Sequence, residues 1–170
     1  MRSNSYPRDL IAAQARLHGR ALSEAWGTFL GRVPWQLFVT LTFDPIQWPS
    51  VDKQLAMKEA IWWCQQTSRL VRRPLAWALA AERGRGGRWH AHVLLVGLPD
   101  GLGGGPEAMW RQRNGHLDVK EVWRSDRLSV YATKQAALEG DVELSDTLRR
   151  YRDVLTAGPS VDLYPVVVPI

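Results

Sequence analysis

At 170 residues the chain can bury roughly two-thirds of its unfolded surface, which favours one globular domain over residues 1–170. Its single cysteine excludes an intramolecular disulfide, and no run approaches the ~18 apolar residues of a membrane span or forms the apolar centre of a signal peptide, so a cytoplasmic protein without membrane contact is expected. The formal charge is +5, and 18 of the 22 Lys+Arg are arginine, whose planar fork suits phosphate oxygens; with nine tryptophans this is compatible with nucleic acid without establishing it.

The elements follow in chain order. Leu22, Trp26, Phe29 and Leu30 at helical spacing predict an N-terminal helix over about 9–30, ending before Pro34. "WQLFVTLTFD" is rich in β-branched and aromatic residues and reads as a buried strand closed by a turn at Asp44-Pro45. A helix follows from Ser50 or Asp52 to about Leu70, where Pro74 blocks continuation. "LAWALAAE", ending at Glu82, and "WHAHVLLVG" are separated by "RGRGG", which says hairpin. The glycine-rich stretch from Gly97 to Glu107 reads as a mobile loop, followed by a short helix around Glu107–Arg113. In "GHLDVKEV", Leu117 and Val119 alternate with His116, Asp118 and Lys120, the mark of a half-exposed strand. "SDRLSVYATKQAALEG" has an N-cap at Ser125 or Asp126 and closes on Gly140 as a helix. One more helix, "LSDTLRRYRDVL", and an extended tail complete 141–170. The order α-β-α-β-β-α-β-α, with its central hairpin, predicts an α+β sandwich around a mainly antiparallel sheet.

The chemistry centres on "HAH". Residues i and i+2 of a strand share a face, so His90 and His92 project together as paired nitrogen ligands. A lone His-x-His also fits an ordinary polar sheet face. The hairpin adds Glu82 on the same side, and its carboxylate can complete a two-nitrogen, one-oxygen face of a divalent ion with positions left for substrate. Arg83, Arg85 and Arg88 in the connecting loop, among glycines that allow close backbone approach, suit a phosphate, and Trp89 beside them can stack on a base.

The third group is "YATK". On the helix predicted there, Leu128, Tyr131, Lys134 and Leu138 fall on one stripe, which turns the Tyr131 phenol toward the sheet. A core tyrosine would explain Tyr131 alone. Lys134 fits that reading poorly, because a lysine facing the sheet needs a negative partner such as a phosphodiester. A phenol reaches its phenolate at neutral pH at a cost of roughly 4 kcal/mol, which a cation and a lysine offset. Attack by Tyr131 on phosphorus would give a phosphotyrosine and exchange one phosphodiester for another.

These segments, in this order, resemble the HUH endonucleases, named for the His-hydrophobe-His pair, and among them the rolling-circle replication initiators. "FVTLTFD" is similar to their first motif, "HAH" to the second and "YATK" to the third, a span from about Phe38 to Gln135. The resemblance implies a five-stranded antiparallel sheet flanked by helices, with a catalytic core at about 36–140. It further implies Mn2+- or Mg2+-dependent nicking of single-stranded DNA at a replication origin, with a single catalytic tyrosine joined to the 5′ phosphate. Zn2+ is also permitted by the ligand types. By the resemblance His90, His92 and Glu82 are metal ligands, and Tyr131 and Lys134 are catalytic. No "GxxxxGK" follows, so a host helicase is an expected partner.

Three other readings compete. A transposase or small relaxase of the same superfamily would use the same residues. An RRM-like binding module, with Trp77 and Trp89 as stacking platforms, leaves the histidine pair, Tyr131 and Lys134 unexplained. A two-histidine phosphoesterase would need a second His-x-Thr or His-x-Ser element, which the sequence lacks.

Overall fold

The computed structural model describes residues 21, 22, 24–98, 101–122 and 142–151. The helix expected over 125–140, with Tyr131 and Lys134, lies outside these residues, as do the start of the N-terminal helix and the extended tail. Residues 24–30 are helical, and β1 (Leu37–Phe43), α1 (Lys53–Leu70), β2 (Ala76–Arg83), β3 (Trp89–Val96), α2 (Gly104–Arg113), β4 (Gly115–Glu121) and β5 (Val142–Leu144) follow. A 3-10 helix over Asp146–Tyr151 closes the order. The strands form one five-stranded sheet in the order β4-β1-β3-β2-β5, and every adjacent pair is antiparallel. The expected α+β fold, a five-stranded antiparallel sheet with flanking helices, is the observed one. No helix among the described residues is long and apolar enough to cross a membrane.

Local signals explain where the elements begin and end. The Asp44 carboxylate accepts a hydrogen bond from the Ile46 amide at 2.7 Å, forming the turn that closes β1. Asp52 caps α1 by accepting from the Leu55 amide at 2.8 Å. Two segments depart from the sequence reading. The helix placed at Glu107 begins earlier, at Gly104, inside the stretch read as a loop. Low glycine propensity is overridden there because Pro106 and Trp110 are buried against the core. The helix expected from Leu144 is instead the fifth strand followed by the 3-10 turn. Ser145 is committed to the sheet edge, where its amide donates to the Trp77 carbonyl and its hydroxyl accepts from the Trp77 amide.

Strand alternation divides the core into two layers. Odd-numbered residues, including Val39, Leu41, Leu79, Ala91 and Val93, pack under α1 and α2 with Trp63, Cys64 and Trp110. The opposite face is apolar at one end, where Phe38, Ala78 and Leu94 meet Leu30, Val33, Trp35 and Leu148. Toward the other end of the same face the even-numbered positions turn polar: Thr40 and Thr42, His92 and His90, then Glu82.

Glu59 ties the helices together. This buried carboxylate accepts from Arg113 at 2.8 and 3.2 Å and from the Asn114 amide at 3.3 Å, while the guanidinium lies 4.3 Å from the centre of the Trp62 ring. The Arg113 hydrogen bonds hold its pKa below the ordinary 4.5, against the opposing effect of burial. The folded state therefore binds fewer protons here than the unfolded chain, and the stabilisation, full above pH 4.5, is lost as pH falls through the depressed folded value. Urea unfolding at stepped pH should show this acid-side loss, and Glu59→Gln should flatten it while costing about 1–2 kcal/mol at neutral pH.

Gly115, at the start of β4, has φ +142°, and a Cβ there would overlap the Asp44 amide nitrogen and lie 2.8 Å from the Thr42 carbonyl oxygen. Both obstacles are backbone and cannot rotate away. Gly115→Ala should therefore lower stability by about 3 kcal/mol or more, read as a drop in the denaturant midpoint.

Candidate metal centre

The β2–β3 hairpin builds the site. Its register pairs Glu82 with His90, Ala80 with His92 and Arg83 with Trp89. Because Ala80 is small, Glu82 can reach diagonally past it, and its Oε2 lies 2.8 Å from His92 Nε2 and 3.7 Å from His90 Nε2. The two imidazoles meet edge to face with centroids 4.8 Å apart. Gly84 leaves room for the first ring, since a Cβ at that position would stand 3.2 Å from His90 Cε1.

The two rings are held differently. The His90 and Glu82 side chains are 20% and 24% exposed, whereas that of His92 is 5% exposed. Phe38 stacks on the His92 ring at 5.1 Å and 21°, and Thr40 Oγ1 lies 3.2 Å from its Nδ1. Burial, reinforced by His90, holds the His92 pKa below the usual imidazole value despite the opposing pull of Glu82. A neutral imidazole keeps a lone pair free for coordination.

Among the described residues Glu82, His90 and His92 form a group whose ligand atoms all lie within 4.8 Å of one another. Ligands at about 2.0–2.2 Å from a common ion stand at most about 4.4 Å apart, so small rotamer adjustments bring these three onto one divalent cation. Two nitrogens and one oxygen suit Mn2+ or Zn2+ well and Mg2+ less so.

The neighbouring residues have distinct placements. Arg83 Nε donates to the Gly87 carbonyl at 3.0 Å and so braces the hairpin turn, while Arg85 and Arg88 are exposed at its tip. Trp89, by strand alternation, faces the layer opposite the histidines and packs against the helix-covered core. His116 shares a cross-strand row with Thr42, His90 and Glu82 on the ligand face and is exposed. Thr40 and Phe38, which the sequence reading did not single out, contact a candidate ligand directly. Their signal was present in the alternation of "FVTLTFD", but only the pairing of β1 with β3 shows what that alternation faces.

A family model, that of the ORF2 type of replication-associated protein, matches residues 36–139, more than half of the chain. The chain belongs to this family. For this replication-associated protein the matched region runs from the residue before β1 through β4 and includes Glu82, His90, His92, Tyr131 and Lys134. Comparisons of the replication-associated chain with curated proteins and with solved structures give no match.

Proposed function

We propose that this replication-associated protein is a divalent-metal-dependent enzyme that nicks and rejoins single-stranded DNA as a rolling-circle replication initiator of a plasmid or phage. The observation that carries the reading is the convergence of Glu82, His90 and His92 on one partly open sheet face. Membership in a replication-associated family supports DNA as the substrate.

In this reading Glu82, His90 and His92 hold Mn2+ or Mg2+. The bound ion supplies Lewis-acid polarisation of a non-bridging phosphate oxygen. Tyr131 is the nucleophile: a bond forms from its phenolic oxygen to phosphorus as the bond to the 3′ oxygen breaks. The phenol gives up its proton and the departing 3′ oxygen takes one up, leaving a 5′-phosphotyrosine and a free 3′ hydroxyl. Lys134 offsets the charge that develops on the phosphate. Arg85 and Arg88, at the tip of the hairpin, provide cations for the strand beyond the cleaved bond. Unwinding of the duplex falls to a host helicase in the cytoplasm.

The test is incubation of the purified protein with a labelled pool of single-stranded oligonucleotides and Mn2+, followed by a denaturing gel. A shifted adduct that vanishes with chelator is expected. Absence of adduct with Mn2+, Mg2+ and Zn2+ alike overturns the reading.

A further inference from the structure

The unequal treatment of the two histidines points to one more functional residue, and the inference rests on the metal-centre reading above. Thr40 is paired directly with His92 across β1 and β3, so its side chain shares the ligand face, and its hydroxyl lies 3.2 Å from His92 Nδ1. On the other side of the ring Nε2 lies 2.8 Å from the Glu82 carboxylate. With Phe38 stacked on the ring, His92 is fixed at both nitrogens and on one flat face.

We propose that Thr40 is a positioning residue that keeps His92 Nε2 aimed into the cluster in both tautomers of the neutral ring. Without a cation, Nε2 carries the ring proton and donates it to Glu82, so Nδ1 is an acceptor and takes the Thr40 O–H. When the Nε2 lone pair is given to a cation, the single ring proton resides on Nδ1, which then donates to Thr40 Oγ1. The change is a tautomeric exchange through solvent with no net gain or loss of protons. A hydroxyl serves both states by rotating about its C–O bond, because one oxygen both donates and accepts. Valine has nearly the same shape and does neither. At 4% exposure His92 has little access to replacement water, so removing the hydroxyl leaves a buried ring nitrogen unpaired in either state.

The experiment uses the full chain with Mn2+ as probe, titrated into wild type, Thr40→Val and Thr40→Ser. Thr40→Val should keep a cooperative thermal transition and weaken Mn2+ binding on the order of 10- to 100-fold, the usual effect of losing a partner behind a ligand. Thr40→Ser should restore the affinity to within a few-fold. Long-range 1H–15N NMR of the wild-type histidines, with Zn2+ as a diamagnetic probe, should show the His92 proton move from Nε2 to Nδ1. Wild-type affinity in Thr40→Val, or a His92 Nδ1 that stays unprotonated with Zn2+ bound, overturns the role of Thr40 and leaves the metal centre standing. Failure of wild type to bind either ion overturns both. Should the valine variant not fold, the NMR measurement on wild type decides alone.

Discussion

His90→Ala and His92→Ala should each lower Mn2+-dependent cleavage of single-stranded DNA by about a thousandfold. A Lewis acid supplies several kcal/mol of transition-state stabilisation, and at 1.36 kcal/mol per decade a loss of roughly 4 kcal/mol gives that factor. The two variants should differ in stability. His90 is partly open, so its truncation leaves the core intact, whereas His92 is buried against Phe38 and its removal opens a gap at the edge of the apolar layer. Thermal unfolding followed by circular dichroism should therefore place His90→Ala near wild type and His92→Ala below it, with both inactive. Full activity in either variant would remove that histidine from the reaction.

Tyr131→Phe should abolish the covalent adduct while keeping affinity for single-stranded DNA within about threefold, because the substitution removes the nucleophilic oxygen and leaves the ring that packs. Tyr151 provides the contrast. It ends the 3-10 helix, packs against the second apolar layer, and burial pushes its phenol pKa up, away from the phenolate a nucleophile requires. Tyr151→Phe should therefore leave adduct formation intact. Mass spectrometry of the digested adduct should locate the nucleotide on the peptide containing Tyr131. An adduct of wild-type yield in Tyr131→Phe would contradict the assignment.

Much of the site was legible in the sequence because parity is a strong constraint. Once "RGRGG" is read as a hairpin turn, His90 and His92 must share a face, and the register that pairs Glu82 with His90 follows from the loop length. The long helix α1 was legible through Asp52 at one end and Pro74 beyond the other. What failed to show did so for physical reasons. β5 is three residues long, too short for alternation to register, and exists because β2 offers it an unpaired edge. The early start of α2 depends on burial of Pro106 and Trp110, a tertiary effect that glycine propensities oppose. Thr40 is silent in sequence because its role depends on β1 lying beside β3, a neighbour relation that chain order does not state.

The claim on which the account turns is that Glu82, His90 and His92 together hold one divalent cation. It is tested most directly by titrating Mn2+ into the full-length protein while following the electron paramagnetic resonance signal of the free ion. The expected result is suppression of that signal up to one ion per chain in wild type, and its full appearance from the first addition when all three residues are replaced by alanine. Equal suppression in the triple variant, or none in wild type, would contradict the claim.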